Sequence, residues 1–429
     1  MMSGLNAARI SAAVLSIAAL LSGAPVSHAA TGMRLGRWFV RASAPLRDAP
    51  AVRTGTLPAG VRVPPGGTNV VTWDDSTSPI SLAQWSTAGP AFIQRFILTD
   101  PVSQSGLVPG SNTLAAIPAG SACPNGGYVF ANTGGFVDGL ADGSTPGVIS
   151  TEASSTADFN PQGHPVDVRI ENTGKGMFAV VSSVGPQGAT ATESWSIANC
   201  GLTFVNLLKD PAGSSITSVT PTEKNTMVGV DSNGTNLWAF SVNPVTGRLA
   251  IARQPYAGQL QGAAGVDFVM TKHHVGDLLT GQSSPDTAPN AAGYSWNFQA
   301  GFKKPLAGSP AADTTATDCG GAGVTADPVS NTMIQLLNNT QYVCGNSPDV
   351  AAYTVTPFTY AASVPLPNAI GQFGLAELPA SQAIMPGVSI VNSVYGEWDA
   401  CALAGKNTTC SDFADYGGSG DFSTGVAIV

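Results

Sequence analysis

The side chains of this sequence that are best suited to chemistry lie in short, strand-like phrases. His164, in the run GHPVD, could activate a water molecule as a general base because the ordinary pKa of imidazole lies near neutrality. It could equally bond a neighbouring backbone carbonyl. Asp167 and Asp267 occupy equivalent positions in two such phrases, VDV and VDF. Their carboxylates could bind a cation or a sugar hydroxyl, or each could cap a hydrogen bond between structural units.

Other charged residues have simpler expected roles. Arg169 follows Asp167 by two positions, so both side chains should share one face of a strand and form an ion pair. His273 and His274 are adjacent, and adjacent side chains of a strand point to opposite faces. A metal ion shared by these two histidines is therefore not expected.

Two groups of aspartates resemble calcium loops in composition but lack the D-x-[DN]-x-[DN]-G spacing. We expect loop carboxylates without an ion and no cofactor, although a structural calcium ion remains an alternative. The sequence also lacks G-x-S-x-G, P-loop and dinucleotide motifs, so it does not support a serine hydrolase, an NTPase or a nucleotide-dependent enzyme. The aspartates are Asp138 and Asp142 in the run DGLADG, and Asp412, Asp415 and Asp421 near the C-terminus.

The N-terminus has the pattern of a cleavable export signal. Arg9 precedes an apolar run of about twelve residues, Ile10 to Leu21, whereas crossing a bilayer takes about 20 residues. Pro25 and the small residues up to Ala29 follow, so we expect cleavage after Ala29, with Ala30 or an uncleaved anchor as alternatives. The predicted organisation is a signal peptide at 1–29, an Arg- and Pro-rich leader or linker at 30–64, and one folded domain at 65–429. A secreted or periplasmic protein without a membrane span is expected.

The charge distribution is uneven and restricts the class of partner. The chain has a formal net charge of −9, and after Pro305 its only cation is Lys406. Such an acidic body is a poor partner for nucleic acid. We expect a monomer that binds a small molecule or a carbohydrate. The leader could be a solvated linker, a pro-segment, or an arm that docks on the acidic body. Six arginines lie before residue 65: Arg34, Arg37, Arg41, Arg47, Arg53 and Arg62.

Six cysteines in an exported chain favour disulfides, and six allow 15 pairings. Their spacing does not suggest zinc. The pairs proposed from sequence are Cys401 with Cys410, Cys319 with Cys344, and Cys123 with Cys200.

An internal repeat is the most informative feature of the sequence. Apolar phrases begin at Met177, Met227, Val275 and Met333, with spacings of 50, 48 and 58 residues. Roughly ten to twenty residues later, each is followed by a phrase that alternates aromatic or apolar with polar residues, as in ESWSIA and NLWAFSV. Period-2 alternation on both sides of turn residues predicts a β-meander in each copy.

A period near 50 with about four strands per unit is typical of a β-propeller blade. The sequence therefore predicts an all-β protein, a propeller that we count as seven blades of four antiparallel strands; six or eight blades, or a pair of β-sandwiches, are alternatives. The expected blades begin near Pro65, Ala116, Pro161, Gly213, Gly262, Gly320 and Ala369.

Three blade phrases, GHPVDVRIENTGKGMFAVVSS, NGTNLWAFSVNPVTGRLA and AAGVDFVMTKHHVGDLLTG, resemble the lactonase-like seven-bladed propellers. That group contains 6-phosphogluconolactonase and the carboxymuconate-lactonising enzyme. The resemblance covers roughly Pro161 to Pro367 and implies a ligand at the mouth of the central channel. It matches His164 to the first histidine of a family His-Pro-His run and Asp231 to a family glutamate. The family's Arg-His pair would fall near Ser215-Ile216 and is absent.

Two classes of function follow. The first is a lactonase-like hydrolase or cycloisomerase, with His164 as base and Asp231, Asp167 or Asp267 assisting. The second is a non-catalytic propeller that binds a carbohydrate, a peptide or a partner in the cell envelope. It would carry exposed aromatic side chains, for which Trp73, Trp85 and Trp398 are the candidates.

Overall fold

We describe the fold from a computed structural model of the chain. The predicted signal peptide and most of the leader lie outside the described residues. The structure describes residues 53–54, 68–74, 79–86, 89–98, 113–132, 136–144, 148–157, 164–184, 190–223, 225–272, 275–282, 291–297, 301–312, 323–337, 349–366, 369–372, 375–378, 382–389, 395–416 and 423–428.

The described strands pair antiparallel in seven sheets, each of which is one blade of a β-propeller. The repeated phrases of the sequence are the second and third strands of blades three to six. The strands are given from inside to outside. Blade one contains Ser423–Ile428, Thr68–Asp74, Pro79–Ser86 and Gly89–Ile97, and blade two contains Leu114–Ile117, Gly127–Asn132, Phe136–Asp142 and Ile149–Ala157. Blade three contains His164–Asn172, Met177–Val184, Ala191–Ala198 and Gly201–Lys209, and blade four contains Ile216–Pro221, Thr226–Asp231, Asn236–Val242 and Leu249–Ile251 with Tyr256–Ala257.

The remaining blades follow the same order. Blade seven also contains a short 3₁₀ helix, Gly405–Asn407. Blade five contains Ala263–Lys272, Val275–Gln282, Ala291–Asn297 and Gly301–Pro305. Blade six contains Val324–Asp327, Thr332–Leu337, Asp349–Thr354 and Thr359–Pro365. Blade seven contains Ala369–Gln372 with Ala376–Leu378, then Gln382–Ser389, Tyr395–Ala402, Thr409–Tyr416 and Arg53–Thr54.

The ring is closed by the two ends of the chain. The C-terminal strand Ser423–Ile428 is the inner strand of blade one, where it pairs with Thr68–Asp74. It also contacts the inner strands of blades two and seven, so the seven inner strands contact one another in a closed circle. Blade one does not begin near Pro65 as expected, because its inner strand comes from the C-terminus and Thr68–Asp74 is its second strand.

The hydrophobic core lies between the blades. Phe178 and Val180 of blade three, for example, pack against Ile216, Val219 and Trp238 of blade four. The described sheets thus bury their faces against their neighbours, and these contacts between blades hold the ring together.

The turn from Asn243 to Gly247 connects the third and outer strands of blade four and contacts blade three, where Thr173 and Ser194 donate hydrogen bonds to it. Asn243 accepts hydrogen bonds from the backbone N–H groups of Val245 and Thr246, at 3.0 and 2.9 Å. Gly247 completes the turn with φ +74°, and a Cβ there would lie about 2.2 Å from the Phe178 ring of blade three. Glycine is therefore needed both for its φ and for the close approach of the two blades.

Two of the three expected disulfides are confirmed. Cys123–Cys200 links blade two to blade three, and Cys401–Cys410 links two neighbouring strands of blade seven. Cys319 and Cys344 lie outside the described residues. Disulfides of this kind are typical of proteins in an oxidising compartment.

The two disulfides should differ in their contribution to stability. The chain-entropy model assigns about 4.5 kcal/mol to the link that spans 77 residues and about 2.7 kcal/mol to the link that spans 9. We expect the Cys123→Ser/Cys200→Ser variant to unfold at a lower urea concentration than the Cys401→Ser/Cys410→Ser variant. Equal midpoints, with equal m-values, would contradict this ranking.

Part of the Arg-rich leader belongs to a sheet. Arg53 and Thr54 pair with Asp415 and Ala414 of the outer strand of blade seven. Within the described residues, no helix is long and apolar enough to cross a membrane.

Candidate functional site

Two carboxylates meet where the inner strand of blade four begins. The inner strands of the blades all begin on one face of the ring, here named the upper face, which is also where second strands end. Asp231, the last residue of the second strand of blade four, pairs in register with Ile216, the first residue of the inner strand. Asp231 is buried, and its Oδ1 accepts hydrogen bonds from the N–H groups of Ser215 (2.9 Å) and Asn233 (3.0 Å). Its Oδ2 receives no hydrogen bond from the described residues.

The second carboxylate is Asp210, in the link between blades three and four. Its Oδ2 accepts a hydrogen bond of 2.7 Å from the N–H group of Ile216, the residue directly after the one that bonds Asp231. Burial raises the pKa of Asp210 to about 6 and the negative charge of Asp231 adds to this, against the hydrogen bonds from Thr190 and Ile216. Consecutive amides thus hold two carboxyl groups, one of which changes protonation near neutral pH.

An open cleft of about 530 Å³ lies at the outer edge of blade four, and Pro211, which directly follows Asp210 in the sequence, is one of its lining residues. It forms because the outer strand of blade four is interrupted between Ile251 and Tyr256. Its walls therefore combine an aromatic ring, aliphatic surface and polar side chains. The lining residues are Pro211, Trp238, Ile251, Ala252, Arg253 and Gln254.

Asp167 joins blade three to blade four. Its Oδ2 accepts hydrogen bonds of 3.0 Å from the Ser218 hydroxyl and from the N–H group of Val219. Its Oδ1 lies 3.5 Å from the Nε of Arg169, so the expected ion pair is present. Burial raises the pKa of Asp167, while the positive charge of Arg169 and these hydrogen bonds lower it.

Asp267 joins blade five to blade six in the same way. Its Oδ2 accepts a hydrogen bond of 3.0 Å from the N–H group of Ala326 and lies 3.4 Å from the Thr325 hydroxyl. Burial raises the pKa of Asp267, and the positive charge of Arg169 is the largest of the effects that lower it. Asp167 and Asp267 are equivalent, as the sequence indicated, and both contact the inner strand of the next blade.

The other sequence candidates fall in several places. His164 begins the inner strand of blade three, but its side chain is outside the described residues, as are His273, His274 and the side chains of Trp73, Trp85 and Trp398. The five aspartates that resemble calcium loops in composition were expected in loops, and this is wrong for the four that the structure describes. Asp138 and Asp142 belong to the third strand of blade two, and Asp412 and Asp415 to the outer strand of blade seven, because cross-strand pairing outweighs their turn-like composition. Asp421 lies outside the described residues.

The two carboxyl groups that the structure brings together at the upper face are therefore Asp210 and Asp231. Sequence reasoning identified Asp231 and missed Asp210, which stands in a Lys-Asp-Pro run that resembles any turn. The one feature of the sequence that could have indicated Asp210 is its position shortly before Ser215-Ile216, where the resemblance places the family's Arg-His pair. Among the described residues, no group of three or more His, Cys, Asp or Glu could hold a metal ion.

Comparisons with known proteins identify the fold. No protein-family model matches the chain, and no curated protein matches it. Solved structures do. The periplasmic gluconolactonase of Pseudomonas aeruginosa superposes with a TM-score of 0.61 at 10% identity, over 84% of this chain and 99% of that one. A protein from Lactobacillus plantarum gives 0.58 at 13% identity, over 85% and 99%, and a functionally unknown protein from Desulfotomaculum acetoxidans gives 0.56 at 10%, over 85% and 99%.

The seven described sheets confirm the propeller, and these similarities confirm its resemblance to the lactonase-like group at the level of the fold. At 10 to 13% identity they carry no residue assignments. The chemistry must be argued from the side chains of this chain, since one fold hosts many functions.

Proposed function

We propose that this chain is an exported lactonase-like propeller that hydrolyses or isomerises a small lactone or carboxylate ligand at the upper mouth of the central channel. The observation that carries the proposal is the pair Asp210 and Asp231, held by consecutive amides. The export signal at 1–29 and the two disulfides support a secreted or periplasmic location.

The pair suits lactone hydrolysis because the two carboxyl groups differ in environment. Asp210, with a pKa of about 6, can take a proton from an attacking water at neutral pH. The water oxygen bonds to the lactone carbonyl carbon, the ring C–O bond breaks, and Asp210 returns the proton to the departing ring oxygen. The Oδ2 of Asp231, which no described residue bonds, can accept a hydrogen bond from the water or from a substrate hydroxyl.

One further group belongs to the proposed site. His164 stays a predicted proton-transfer group, since the strand that it begins starts at the same upper face.

The second candidate is a non-catalytic propeller that binds a carbohydrate, peptide or envelope partner. The observation in its favour is that Asp167 and Asp267 each accept a backbone hydrogen bond from the inner strand of the next blade on one carboxylate oxygen. These two residues, which the enzyme hypothesis also named, thus have a structural role that requires no substrate.

Turnover of a panel of small lactones by the purified mature protein distinguishes the two candidates. We expect hydrolysis by the wild type, and a loss of about 10²-fold or more in Asp231→Asn and in His164→Ala. Asp327→Asn is the matched control, because Asp327 also caps backbone amides but lies at the end of an inner strand, on the lower face. Absence of turnover by folded wild-type protein would reject the enzymatic proposal for that panel and favour the binding function.

A further inference from the structure

The lower face of the ring, where the inner strands end, carries three of the four large apolar side chains that are exposed in the described part of the chain. Val245 lies in the turn before the outer strand of blade four and is 67% exposed. Met270, near the end of the inner strand of blade five, is 48% exposed, and Val329, in the turn after the inner strand of blade six, is 86% exposed. These three residues are named the lower aliphatics. Exposed apolar side chains that gather on one side of a folded protein mark an interaction surface.

Three exposed cations lie in turns of the same face. Lys175 follows the inner strand of blade three, and Arg248 precedes the outer strand of blade four. Lys406 lies in the 3₁₀ helix between the third and outer strands of blade seven. These three residues are named the lower cations. Because Lys406 is the only cation after Pro305, the acidic C-terminal part of the chain places its one positive side chain on this face.

Carboxylates near the lower ends of the blades are withdrawn from solvent. Glu223 is half-buried, and four others are at most 7% exposed: Asp142, Glu171, Asp277 and Asp327. The chain as a whole has a formal net charge of −9, so most anionic surfaces repel it. The described side chains that the lower face presents to solvent nevertheless carry positive charge.

A hydrogen bond between two blades joins part of this surface. The Thr173 hydroxyl of blade three donates to the carbonyl oxygen of Pro244 in blade four at 2.8 Å. These two residues belong to the turns that carry Lys175 and Val245. A lower cation and a lower aliphatic from different blades therefore lie on one continuous stretch of surface.

The same arrangement occurs between blades six and seven. The N–H group of Gly405 donates to the Thr332 hydroxyl at 2.8 Å, and that hydroxyl donates to the carbonyl oxygen of Ser330 at 3.1 Å. The helix that carries Lys406 is thus bound to the turn that carries Val329. Met270 of blade five lies between the two groups, so apolar and cationic side chains are interspersed around the lower face.

A membrane surface fits this arrangement better than a protein does. Protein interfaces have a continuous, tightly packed apolar centre that is rich in aromatic side chains. The lower aliphatics are instead single side chains in separate turns, and no aromatic side chain is exposed among the described residues. A bilayer surface accepts separate aliphatic side chains at the level of its headgroups, and anionic headgroups attract lysine and arginine.

We propose that the lower face docks on the surface of a membrane that contains anionic phospholipid. The lower cations bind headgroup phosphates, and the lower aliphatics enter the boundary between headgroups and acyl chains. The carboxyl pair of Asp210 and Asp231 then lies on the side of the ring that points away from the membrane. Docking requires no turnover, so it does not rest on the proposed chemistry at the upper face.

Co-sedimentation of the purified mature protein with vesicles tests the proposal. We expect binding to mixed phosphatidylglycerol and phosphatidylcholine vesicles, no binding to pure phosphatidylcholine vesicles, and weaker binding as salt is added. Lys175→Gln should lower the partition coefficient about fivefold, and replacement of all three lower cations by glutamine should lower it about 10²-fold. Lys209→Gln is the matched control, because Lys209 is an exposed lysine at the upper end of the outer strand of the same blade. It should bind as the wild type does.

The contribution of the lower aliphatics is measured separately. Val245→Ser/Val329→Ser should lower the partition coefficient about tenfold or more, because two aliphatic side chains no longer enter the bilayer. Ile251→Ser is the control, since Ile251 is 41% exposed but lies in the outer strand of blade four, away from the lower face. Both variants should bind the mixed vesicles, and only the double variant should bind them more weakly than the wild type.

Every outcome is decisive, and all variants keep the same Arg-rich leader. Absence of wild-type binding to the mixed vesicles at low salt overturns the proposal and leaves an acidic protein as the occupant of the lower face. Equal losses in Lys175→Gln and Lys209→Gln, or no loss on replacement of the three lower cations, would assign vesicle binding to overall charge or to the leader and would also overturn it. Wild-type binding by Val245→Ser/Val329→Ser would reject the entry of the lower aliphatics into the bilayer.

Discussion

An Asp210→Asn variant is expected to lose lactone turnover by about 10²–10⁴-fold, the usual contribution of one positioned proton-transfer group. Asparagine is nearly isosteric and can still accept the hydrogen bond from the N–H of Ile216, so the link between blades should keep its conformation. The measurement is kcat/KM against pH for both proteins.

The pH profile gives the sharper readout. Because the base form of Asp210 must be ionised, kcat/KM of the wild type should rise with pH through about 6 and then level off. The residual kcat/KM of Asp210→Asn should not show this rise with pH. A wild-type profile that stays flat from pH 5 to pH 8 would remove Asp210 from the role of base, whatever the size of the rate loss.

Stability should move in the opposite direction from activity. The pKa of Asp210 in the folded protein lies above that of the unfolded chain, so the folded state holds its proton more tightly. The stability that this group contributes is complete below about pH 4 and is lost as the pH rises to about 6. At pH 7.5 we therefore expect Asp210→Asn to unfold at the same urea concentration as the wild type or higher. A lower midpoint would mean that the carboxylate is structural.

The second large effect concerns Asp167. Asp167→Ala should lower the free energy of unfolding by about 1–3 kcal/mol for each buried donor that loses its acceptor, with a smaller contribution from the partly exposed Arg169. The change leaves the Val219 N–H and the Ser218 hydroxyl without their acceptor, and it deprives Arg169 of its nearest counter-charge. Urea unfolding at pH 7 measures the loss.

Two matched variants separate the causes. Asp167→Asn retains an acceptor for the Val219 N–H and should cost less than Asp167→Ala. Asp267→Ala removes the equivalent hydrogen bonds between blades five and six. Val269 stands two residues after Asp267 where blade three has Arg169, so the cost of Asp267→Ala should also be smaller. If Asp267→Ala proves as damaging as Asp167→Ala, the contribution of the Arg169 pair is negligible and the hydrogen bonds account for the effect.

The alternation of residues along the chain determined most of the fold. Apolar segments such as MFAVVSS and NLWAFSV form second and third strands because residues on both of their faces are buried against neighbouring blades. Their spacing near 50 residues predicted the seven blades, and the blade starts expected from Ala116 onward fall within four residues of the observed strands. Each of these inferences depends on contacts inside one blade, which are local in sequence.

What joins distant parts of the chain was decided only by the tertiary structure. Ser423–Ile428 closes the ring beside Thr68–Asp74, and no local pattern in a C-terminal strand shows which blade it completes. Asp210 has an ordinary turn sequence, and its raised pKa arises from burial and from the charge of Asp231. Arg169 was expected to pair only with Asp167, but its Nε also donates a hydrogen bond to the carbonyl oxygen of Val219, 50 residues further along the chain. Burial and long-range pairing create these properties, and residue type and spacing alone do not record them.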